Sequence, residues 1–213
     1  INQPLSAMNT YLASAKIFLK KGKLNALNEN LIIIENLVER VHKIVAQLKH
    51  FSKPATMQLR PHPLSALLNN ALMITHPQLK QDDVNVSAPQ FSQEITVWVD
   101  ALKFEQVLVN VITNASQAMK GEPVRELSFD VECFEERVKL SILDSGPGIE
   151  HHVLGSIFEP FYSTKSSNGL GLGLSISKQI IESFNGYLTA HNRPEGGAQF
   201  IISLSSIEAT KND

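Results

Sequence analysis

The stretches Asp144-Ser-Gly146-Pro-Gly148 and Gly169-Leu170-Gly171-Leu172-Gly173-Leu174 decide the fold. The first follows a predicted strand, and the second precedes a predicted helix. A glycine loop that runs into a helix presents free N–H groups and the positive end of the helix dipole, which together attract phosphate. The second stretch lacks the Gly-Lys-Ser/Thr of a Walker sequence, and no strand leads directly into it, as a Rossmann fingerprint requires. The two stretches therefore indicate a phosphate-binding loop of another kind.

Two asparagines stand upstream of these glycines on a helix predicted over residues 101–119, with Asp100 as its N-cap. Asn110 and Asn114 are four residues apart and share one face of that helix. Apolar neighbours surround them, and an amide on an apolar face is costly unless it has a partner. Amide oxygens suit Mg²⁺ and amide N–H groups suit phosphate oxygens, so the pair indicates a metal-phosphate site. Two solvent-facing asparagines are the alternative.

Helices and strands alternate around these motifs. Strands that cluster in hairpins, with helices between the groups, predict an α+β two-layer sandwich rather than a parallel sheet. The aromatic segment at residues 158–165 suits a mobile lid or, equally, the core. Helices are predicted over residues 64–79, 101–119 and near 174–184, and strands over 84–87, 95–99, 126–134, 137–143, near 187–191 and near 199–205.

Residues 1–53 have a different pattern, which predicts a helical hairpin. Apolar residues step by three and four, and a second stripe runs beside the first. One stripe can pack against the other helix of the hairpin, but two adjacent stripes are too wide for one helix to cover. We therefore expect a dimeric four-helix bundle. Packing on the chain's own second domain is the alternative. The first stripe is Leu5, Met8, Leu12, Ala15, Leu19, Leu27, Leu31, Ile34, Val38, Val41, Val45 and Leu48, and the second is Leu37, Ile44 and Phe51.

Prolines mark the end of the hairpin, since the residue before a proline resists helical geometry. Residues 54–63 hold three prolines and have the composition of a connector. The expected domain limits are a hairpin over 1–53, a linker over 54–61, a second domain over 62–208 and a tail over 209–213.

Composition excludes several classes of protein. Nineteen basic against 21 acidic residues, a net charge of −2, give no global electrostatic reason to expect nucleic acid as a partner. The single Cys133 excludes an internal disulfide and a cysteine-built zinc site. The longest aliphatic run, residues 31–34, is far short of the ~20 residues that span a bilayer. We expect a cytoplasmic protein or fragment.

Taken in order, the motifs resemble those of the ATP-binding domain of two-component sensor histidine kinases, within the gyrase-like ATPase superfamily. The resemblance covers roughly residues 62–206. Residues 1–53 resemble the family's dimerisation and histidine-phosphotransfer hairpin, with residues 1–5 similar to the group that includes dicarboxylate sensors. The matching segments are 105–115 (asparagine box), 144–148 (first glycine box), 158–165 (phenylalanine box), 169–174 (second glycine box) and 196–200 (closing glycine box).

The resemblance implies that ATP and Mg²⁺ are the cofactors. Asp144 is expected to accept a hydrogen bond from the adenine amino group, although capping the turn at Gly146 is an alternative role. Asn114 is expected to hold Mg²⁺, with Asn110 on the metal or phosphates and Lys165 on the outer phosphates. The residues implied to bind the nucleotide are Asn110, Asn114, Asp144, Gly146, Gly148, Thr164, Lys165, Gly169, Leu170, Gly171, Leu172, Gly173 and Leu174.

The resemblance also implies a reaction and partners. A kinase core of this family transfers the γ-phosphoryl group of ATP to a hairpin histidine and then to a response-regulator aspartate. The implied partners are a second copy of the chain, through residues 1–53, and a receiver domain. The acceptor histidine would precede Ile1, so we expect this chain to bind nucleotide without autophosphorylating. We also expect an upstream part of the parent to anchor it in the bacterial inner membrane.

One residue of the hairpin has a possible role in dephosphorylation. Gln3 stands where relatives place the residue that positions the attacking water. Exposed helix surface is the equally weighted alternative.

Two other functions compete with the kinase. Gyrase-like hydrolases carry a glutamate four residues before the metal-binding asparagine to activate water, but Asn110 occupies that position and is no general base. A dimeric scaffold with a degenerate nucleotide domain is disfavoured by intact Asp144, Asn114 and glycines. Ala198, where many relatives carry threonine near adenine, is a departure that leaves the assignment unchanged.

Overall fold

A computed structural model describes residues 2–52, 57–89, 91, 93–134, 136–162 and 171–207 of the 213-residue chain. The chain divides into two compact units, residues 1–55 and residues 56–213.

The first unit contains two helices that lie side by side, α1 (Asn2–Lys20) and α2 (Leu24–Ser52). The turn between them is closed by the backbone N–H of Lys23, which donates to the Phe18 carbonyl oxygen at 2.9 Å. Asn30 of α2 is buried, and its amide nitrogen donates to the Tyr11 carbonyl oxygen at 3.3 Å. This bond satisfies the buried amide and joins the two helices.

The two helices leave much of their apolar surface uncovered in the single chain. Ala15 is buried between them, whereas other positions of the predicted stripes are exposed. A pair of helices therefore covers only part of the stripe. The exposed large apolar side chains in the described part of α1 and α2 are Leu5, Leu12, Ile17, Leu19, Leu24, Leu31, Ile32 and Val38.

The second unit has the predicted α+β fold, with two elements that were not predicted, a strand at residues 60–63 and a short helix at residues 151–154. The other elements lie close to their predicted bounds. The elements of this unit are β1 (Arg60–Pro63), α3 (Leu64–Gln81), β2 (Asn85–Ser87), β3 (Thr96–Val99), α4 (Ala101–Ala118), β4 (Glu126–Phe134), β5 (Arg137–Asp144), α5 (His151–Leu154), α6 (Gly173–Ser183), β6 (Tyr187–Asn192) and β7 (Ala198–Ile207).

The described strands form one seven-stranded sheet in the order β1-β3-β7-β5-β4-β2, with β6 paired to β7. The pairing of β2 with β4 is parallel, and the other described pairs are antiparallel. The predicted connector is wrong over residues 60 and 61, because they belong to β1. Pro61 and Pro63 are compatible with a strand here because β1 pairs only with β3 and so lies at an edge of the sheet.

The alternation of side chains along β5 places the carboxyl group of Asp144 on the buried face of the sheet. Val138, Leu140 and Ile142 alternate along β5 and are each about 1% exposed. Side chains on a strand alternate between faces with a period of two. The next position in the series is Asp144, so its carboxyl group lies on the face that packs under the helices.

A second acidic residue joins three elements at the far end of α3. The Oδ2 atom of Asp82 accepts hydrogen bonds from Gln78 and Ser116 at 2.6 and 2.7 Å, and its carbonyl oxygen accepts from Arg125 at 2.6 Å. The two side-chain hydrogen bonds hold the pKa of Asp82 below its usual range. They fix the ends of α3 and α4 beside the strand that follows.

The predicted N-cap of α4 is confirmed and provides a test of the fold. The Asp100 carboxylate accepts from the Lys103 backbone N–H at 3.3 Å. Asp100→Ala removes this cap and should lower the free energy of unfolding by about 0.5–2 kcal/mol, measured by urea denaturation. The exposed Glu136→Ala is the control. Equal stability of both variants and the wild type would contradict the capping role.

Candidate functional site

The centre of the site is the carboxyl group of Asp144, which is 2% exposed. Its Oδ1 accepts hydrogen bonds from the backbone N–H of Gly146 at 2.9 Å and of Ala198 at 3.2 Å. Burial raises the pKa of Asp144, and the two backbone N–H groups and the Arg193 guanidinium act in the opposite direction. The carboxyl group is therefore costly to ionise where it lies, and two loops contribute to holding it.

The other oxygen of Asp144, Oδ2, accepts no hydrogen bond from the residues that the structure describes. Both hydrogen bonds to the carboxyl group end on Oδ1. Within the described residues, no fully buried side-chain oxygen lacks a hydrogen-bond partner, so Oδ2 retains some access. A carboxylate oxygen in this position suits a ligand that offers an N–H donor.

Backbone segments approach Asp144 so closely that a side chain would not fit. Gly197 has φ +88°, and a Cβ atom there would collide with the Asp144 carbonyl oxygen. A Cβ atom on Gly146 would lie 3.0 Å from Oδ1 of Asp144, which is tight contact. Gly197 of the closing glycine pair is thus explained by the approach of the β6–β7 turn to the loop after β5.

The first asparagine of α4 connects that helix to α6. The amide nitrogen of Asn110 donates to the Ser177 hydroxyl at 3.0 Å. A Cβ atom on Gly173 would collide with the amide oxygen of Asn110, so the start of α6 lies directly against it. The structure therefore brings Asn110 and the end of the second glycine stretch together.

The second asparagine is placed differently. Asn114 lies one turn further along α4 and is half-buried. Among the residues that the structure describes, none makes a hydrogen bond to its side chain. Its amide oxygen is thus available to a metal ion and its amide nitrogen to a phosphate oxygen. This agrees with the expectation that an amide on an apolar helix face needs a partner.

The second glycine stretch leads into α6, a helix whose start has no side-chain cap. Gly171 and Leu172 precede Gly173 and Leu174, and Leu172 is buried at 1% exposure. The first N–H groups of an uncapped helix are open to an anion. The predicted residues Thr164, Lys165, Gly169 and Leu170 lie outside the described residues, as does the side chain of Gln3.

The two phenylalanines of the aromatic segment differ in environment. The Phe158 ring is half-buried and lies 5.5 Å from the Lys178 ammonium group of α6. Phe161 is 69% exposed and has φ +67°, a strained conformation for a bulky residue. The Phe158 ring therefore packs on α6, whereas the Phe161 ring is exposed. The segment thus fits neither of its two predicted roles, a mobile lid or the core, to the exclusion of the other.

Sequence analysis missed two residues that bind the loop after β5. The side chain of Asn192 accepts from the Ile149 backbone N–H at 2.7 Å and donates to the Ile149 carbonyl oxygen at 2.6 Å. Arg193 donates from Nη1 to the Asp144 carbonyl oxygen at 2.9 Å. These partners are more than 40 residues apart in sequence, so no local spacing connects them.

Ser145, inside the first glycine stretch, was also missed as a contributor. Its hydroxyl accepts from the Glu126 backbone N–H and donates to the Val124 carbonyl oxygen, both at 2.9 Å. It therefore ties the loop to the start of β4. Its only sequence signal is its place inside the glycine box.

Comparison with known proteins identifies the class. The family model for the histidine kinase-, DNA gyrase B-, and HSP90-like ATPases matches residues 99–207. The chain belongs to this family of ATPase domains. No helix in the described parts of the chain is sufficiently long and apolar to cross a bilayer.

Its curated relatives are sensor histidine kinases, which confirms the resemblance. The C4-dicarboxylate transport sensor protein DctB of Rhizobium meliloti is 30% identical over 208 residues, covering 96% of this chain and 32% of the relative. The two-component sensor PprA of Pseudomonas aeruginosa is 34% identical over 212 residues, covering 96% and 23%. DctS of Rhodobacter capsulatus is 33% identical over 216 residues, covering 96% and 32%. The chain thus spans a third or less of these relatives.

Solved structures agree on the fold. The nucleotide-free catalytic domain of histidine kinase ThkA is 27% identical, with a TM-score of 0.64 over 70% of this chain and 96% of that one. ThkA in complex with response regulator protein TrrA is 23% identical, with a TM-score of 0.73 over 96% of this chain and 60% of that one. The likeness to the ThkA catalytic domain supports an ATPase domain of the histidine kinase type. The likeness to ThkA in the complex shows a similar fold.

The raised pKa of Asp144 predicts a stabilising substitution at the centre of the site. The ionised carboxylate is less favourable in the fold than in the unfolded chain, so folding stability is lost as the pH rises through the raised pKa. Asp144→Asn retains an acceptor for Gly146 and Ala198 but does not ionise. Its free energy of unfolding should exceed that of the wild type near neutral pH.

The excess should shrink as the pH falls through the pKa of Asp144, measured by urea denaturation at several pH values. The same substitution at the exposed Asp130 is the control and should show no such pH-dependent gain. A variant at Asp144 that is less stable than the wild type at neutral pH would refute the prediction.

Proposed function

We propose that this chain is the core of a sensor histidine kinase that binds ATP with Mg²⁺ for phosphoryl transfer to a histidine of the helical hairpin. A response-regulator aspartate is the next acceptor. The observation that carries the proposal is the buried Asp144 carboxylate, whose Oδ1 is occupied by two backbone N–H groups while Oδ2 stays open. Membership of the ATPase family supports the same assignment.

The role of Asp144 is to recognise the adenine base. Its Oδ2 accepts a hydrogen bond from the exocyclic amino group, because an ionised carboxylate offers only acceptors. Guanine carries an oxygen at the corresponding position, and two acceptors facing each other in a buried site are unfavourable. Gly146 and Gly148 leave the loop beside Asp144 without side chains, which suits the close approach of a base.

The phosphates lie at the start of α6. The backbone N–H groups around Gly171, Leu172, Gly173 and Leu174 suit phosphate oxygens. Gly169, Leu170, Thr164 and Lys165 lie outside the described residues, and the resemblance alone assigns the first two to the phosphates and the last two to the outer phosphates. Phosphoryl transfer depends mainly on positioning and charge stabilisation, which these groups supply.

The residues fit Mg²⁺ as part of a nucleotide complex. Mg²⁺ prefers six oxygens and usually keeps waters and substrate phosphates with one or two protein oxygens. The unengaged amide of Asn114 meets that need, with Asn110 one turn away. Among the described residues, no cluster of three His, Cys, Asp or Glu side chains suits a metal without the nucleotide. The ion's contribution is to neutralise charge on the phosphates.

The kinase is favoured over the two alternatives. Asn110 stands where hydrolases place a base, and an amide accepts no proton at neutral pH. Its amide nitrogen is also engaged by Ser177. The Oδ2 atom of the buried Asp144 favours a ligand-binding site over a degenerate scaffold, because Gly146 and Ala198 already bond to Oδ1 and leave Oδ2 for a ligand.

The partners are a second copy of the chain and a receiver domain. The exposed apolar residues of α1 and α2 support a four-helix dimer, because this surface is the kind that helix bundles bury. The response regulator bound by ThkA supports a receiver domain as the phosphoryl acceptor. Gln3 positions water for dephosphorylation, and the parent protein is anchored in the inner membrane upstream of this core.

Nucleotide binding tests the central assignment. Titration calorimetry should detect ATP binding in the presence of Mg²⁺. Asp144→Ala should weaken it by about tenfold to a hundredfold, as expected for a lost hydrogen bond to a charged group. Asp130→Ala, an exposed acid on β4, should bind like the wild type. Absence of binding at millimolar ATP would reject the proposal.

The metal role has its own readout. Asn114→Ala should bind ATP in EDTA like the wild type but gain little affinity when Mg²⁺ is added. A variant with an undiminished Mg²⁺ effect would remove Asn114 from the metal site.

The dimer is tested by a charge in the exposed stripe. Val38→Glu would place a carboxylate in the bundle core and should convert the dimer to monomers. Asn36→Glu, at an exposed position nearly opposite Val38 on α2, should remain dimeric. Sedimentation at micromolar concentrations distinguishes them. A wild-type monomer under these conditions would contradict the dimer.

A further inference from the structure

We infer that Asn192 and Arg193, at the start of the turn between β6 and β7, are positioning residues that hold the loop of residues 144–149 in the conformation that selects adenine. The inference rests on the proposed nucleotide site and extends it to residues that do not contact the base. We call the two side chains and their hydrogen bonds to this loop the loop clamp.

Asn192 forms the far half of the loop clamp. Its amide makes two hydrogen bonds to one residue, accepting from the N–H of Ile149 at 2.7 Å and donating to its carbonyl oxygen at 2.6 Å. This paired geometry mimics one rung of a strand pairing, and it fixes the peptide groups on both sides of Ile149. A Cβ atom on Gly148 would lie 2.9 Å from Oδ1 of Asn192, so the loop is packed against the amide.

Arg193 forms the near half of the loop clamp. Its Nη1 donates to the Asp144 carbonyl oxygen at 2.9 Å, and its own backbone N–H donates to the Gly197 carbonyl oxygen at 3.0 Å. Glu195 lies 3.8 Å from the guanidinium on its other side. The turn is thus closed on itself and bonded to the residue that carries the key carboxylate.

The loop clamp determines where Oδ2 of Asp144 points. Oδ1 accepts from Gly146, within the clamped loop, and from Ala198, directly after the turn. The two N–H donors face the same oxygen only while the turn and the loop keep their separation. If the loop moves away from the turn, Oδ1 loses the Ala198 donor and the carboxylate can rotate, so the preference for an amino group over an oxygen falls.

Base selectivity separates this role from general support of the fold. A destabilised domain loses affinity for ATP and GTP alike, whereas a misplaced carboxylate loses affinity for ATP and keeps its weak affinity for GTP. The hydrogen bonds of Asn192 are exposed, so their removal should change overall stability little.

The experiment measures binding of ATP and GTP to the full chain with Mg²⁺ by calorimetry. Asn192→Ala should raise the Kd for ATP by about tenfold, equivalent to about 1.4 kcal/mol, with little change for GTP. Asn192→Asp keeps the acceptor for the Ile149 N–H but loses the donor, and its Kd should be intermediate. His191→Ala is the matched control, since this exposed neighbour lies on the opposite face of β6.

Arg193 has a second matched pair. Arg193→Gln should reduce the ATP-to-GTP preference, because its bond to the Asp144 carbonyl oxygen is lost. Glu195→Gln removes only the outer partner of the guanidinium and should leave the preference unchanged.

Hydrogen exchange distinguishes failure of this inference from failure of the nucleotide site. In the nucleotide-free protein, the amides of Gly146 and Ile149 should exchange faster in Asn192→Ala than in the wild type. Unchanged exchange, or an equal loss of ATP and GTP affinity together with a lower melting temperature, would overturn the loop clamp. If the wild type binds no nucleotide but Asn192→Ala still exchanges these amides faster than the wild type, the proposed nucleotide site is rejected. The loop clamp is then retained as a feature of the loop.

Discussion

The second unit is organised around one buried oxygen, Oδ1 of Asp144, and the two backbone N–H groups that share it. Gly146 donates from the loop after β5 and Ala198 donates from the first residue of β7. A buried carboxylate needs such donors because it has lost its water. The Ala198 donor approaches only because residue 197 has no side chain, and a glycine at 146 avoids a tight contact with Oδ1. The need to hold one charged group therefore accounts for much of the local sequence.

The site also shows how one scaffold supports different chemistries. The position that a hydrolase of this superfamily uses for its base is filled here by Asn110, which bonds to Ser177 and so joins α4 to α6. Asn110 thus has a packing role next to the start of α6. Asn114, one turn further along, makes no side-chain hydrogen bond to a residue that the structure describes. Two identical side chains on one helix face thus have different surroundings, set by what lies opposite them.

The sequence was most informative where the determinants were local. The helical pattern with Asp100 before it predicted α4 and its cap, and the two strands predicted over residues 126–134 and 137–143 form the central hairpin. Prolines were misleading at β1, because an edge strand tolerates them and a local pattern cannot reveal an edge. Asn192 and Arg193 could not be found at all, since their partners are distant in sequence. The resemblance identified the groups expected to touch the nucleotide and left out the side chains that hold their loop.

The pairing of β7 has a consequence for how this domain is made. This strand is the last of the described strands in chain order, yet it pairs with β3, β5 and β6. Contacts between distant parts of the chain form slowly because a large loop must close first. During synthesis, one edge of β5 remains unpaired until residues 198–207 have emerged from the ribosome. Asp144 likewise lacks its Ala198 donor until then, so in a nascent chain that stops short of β7 its carboxylate has lost one of the two N–H groups that hold it.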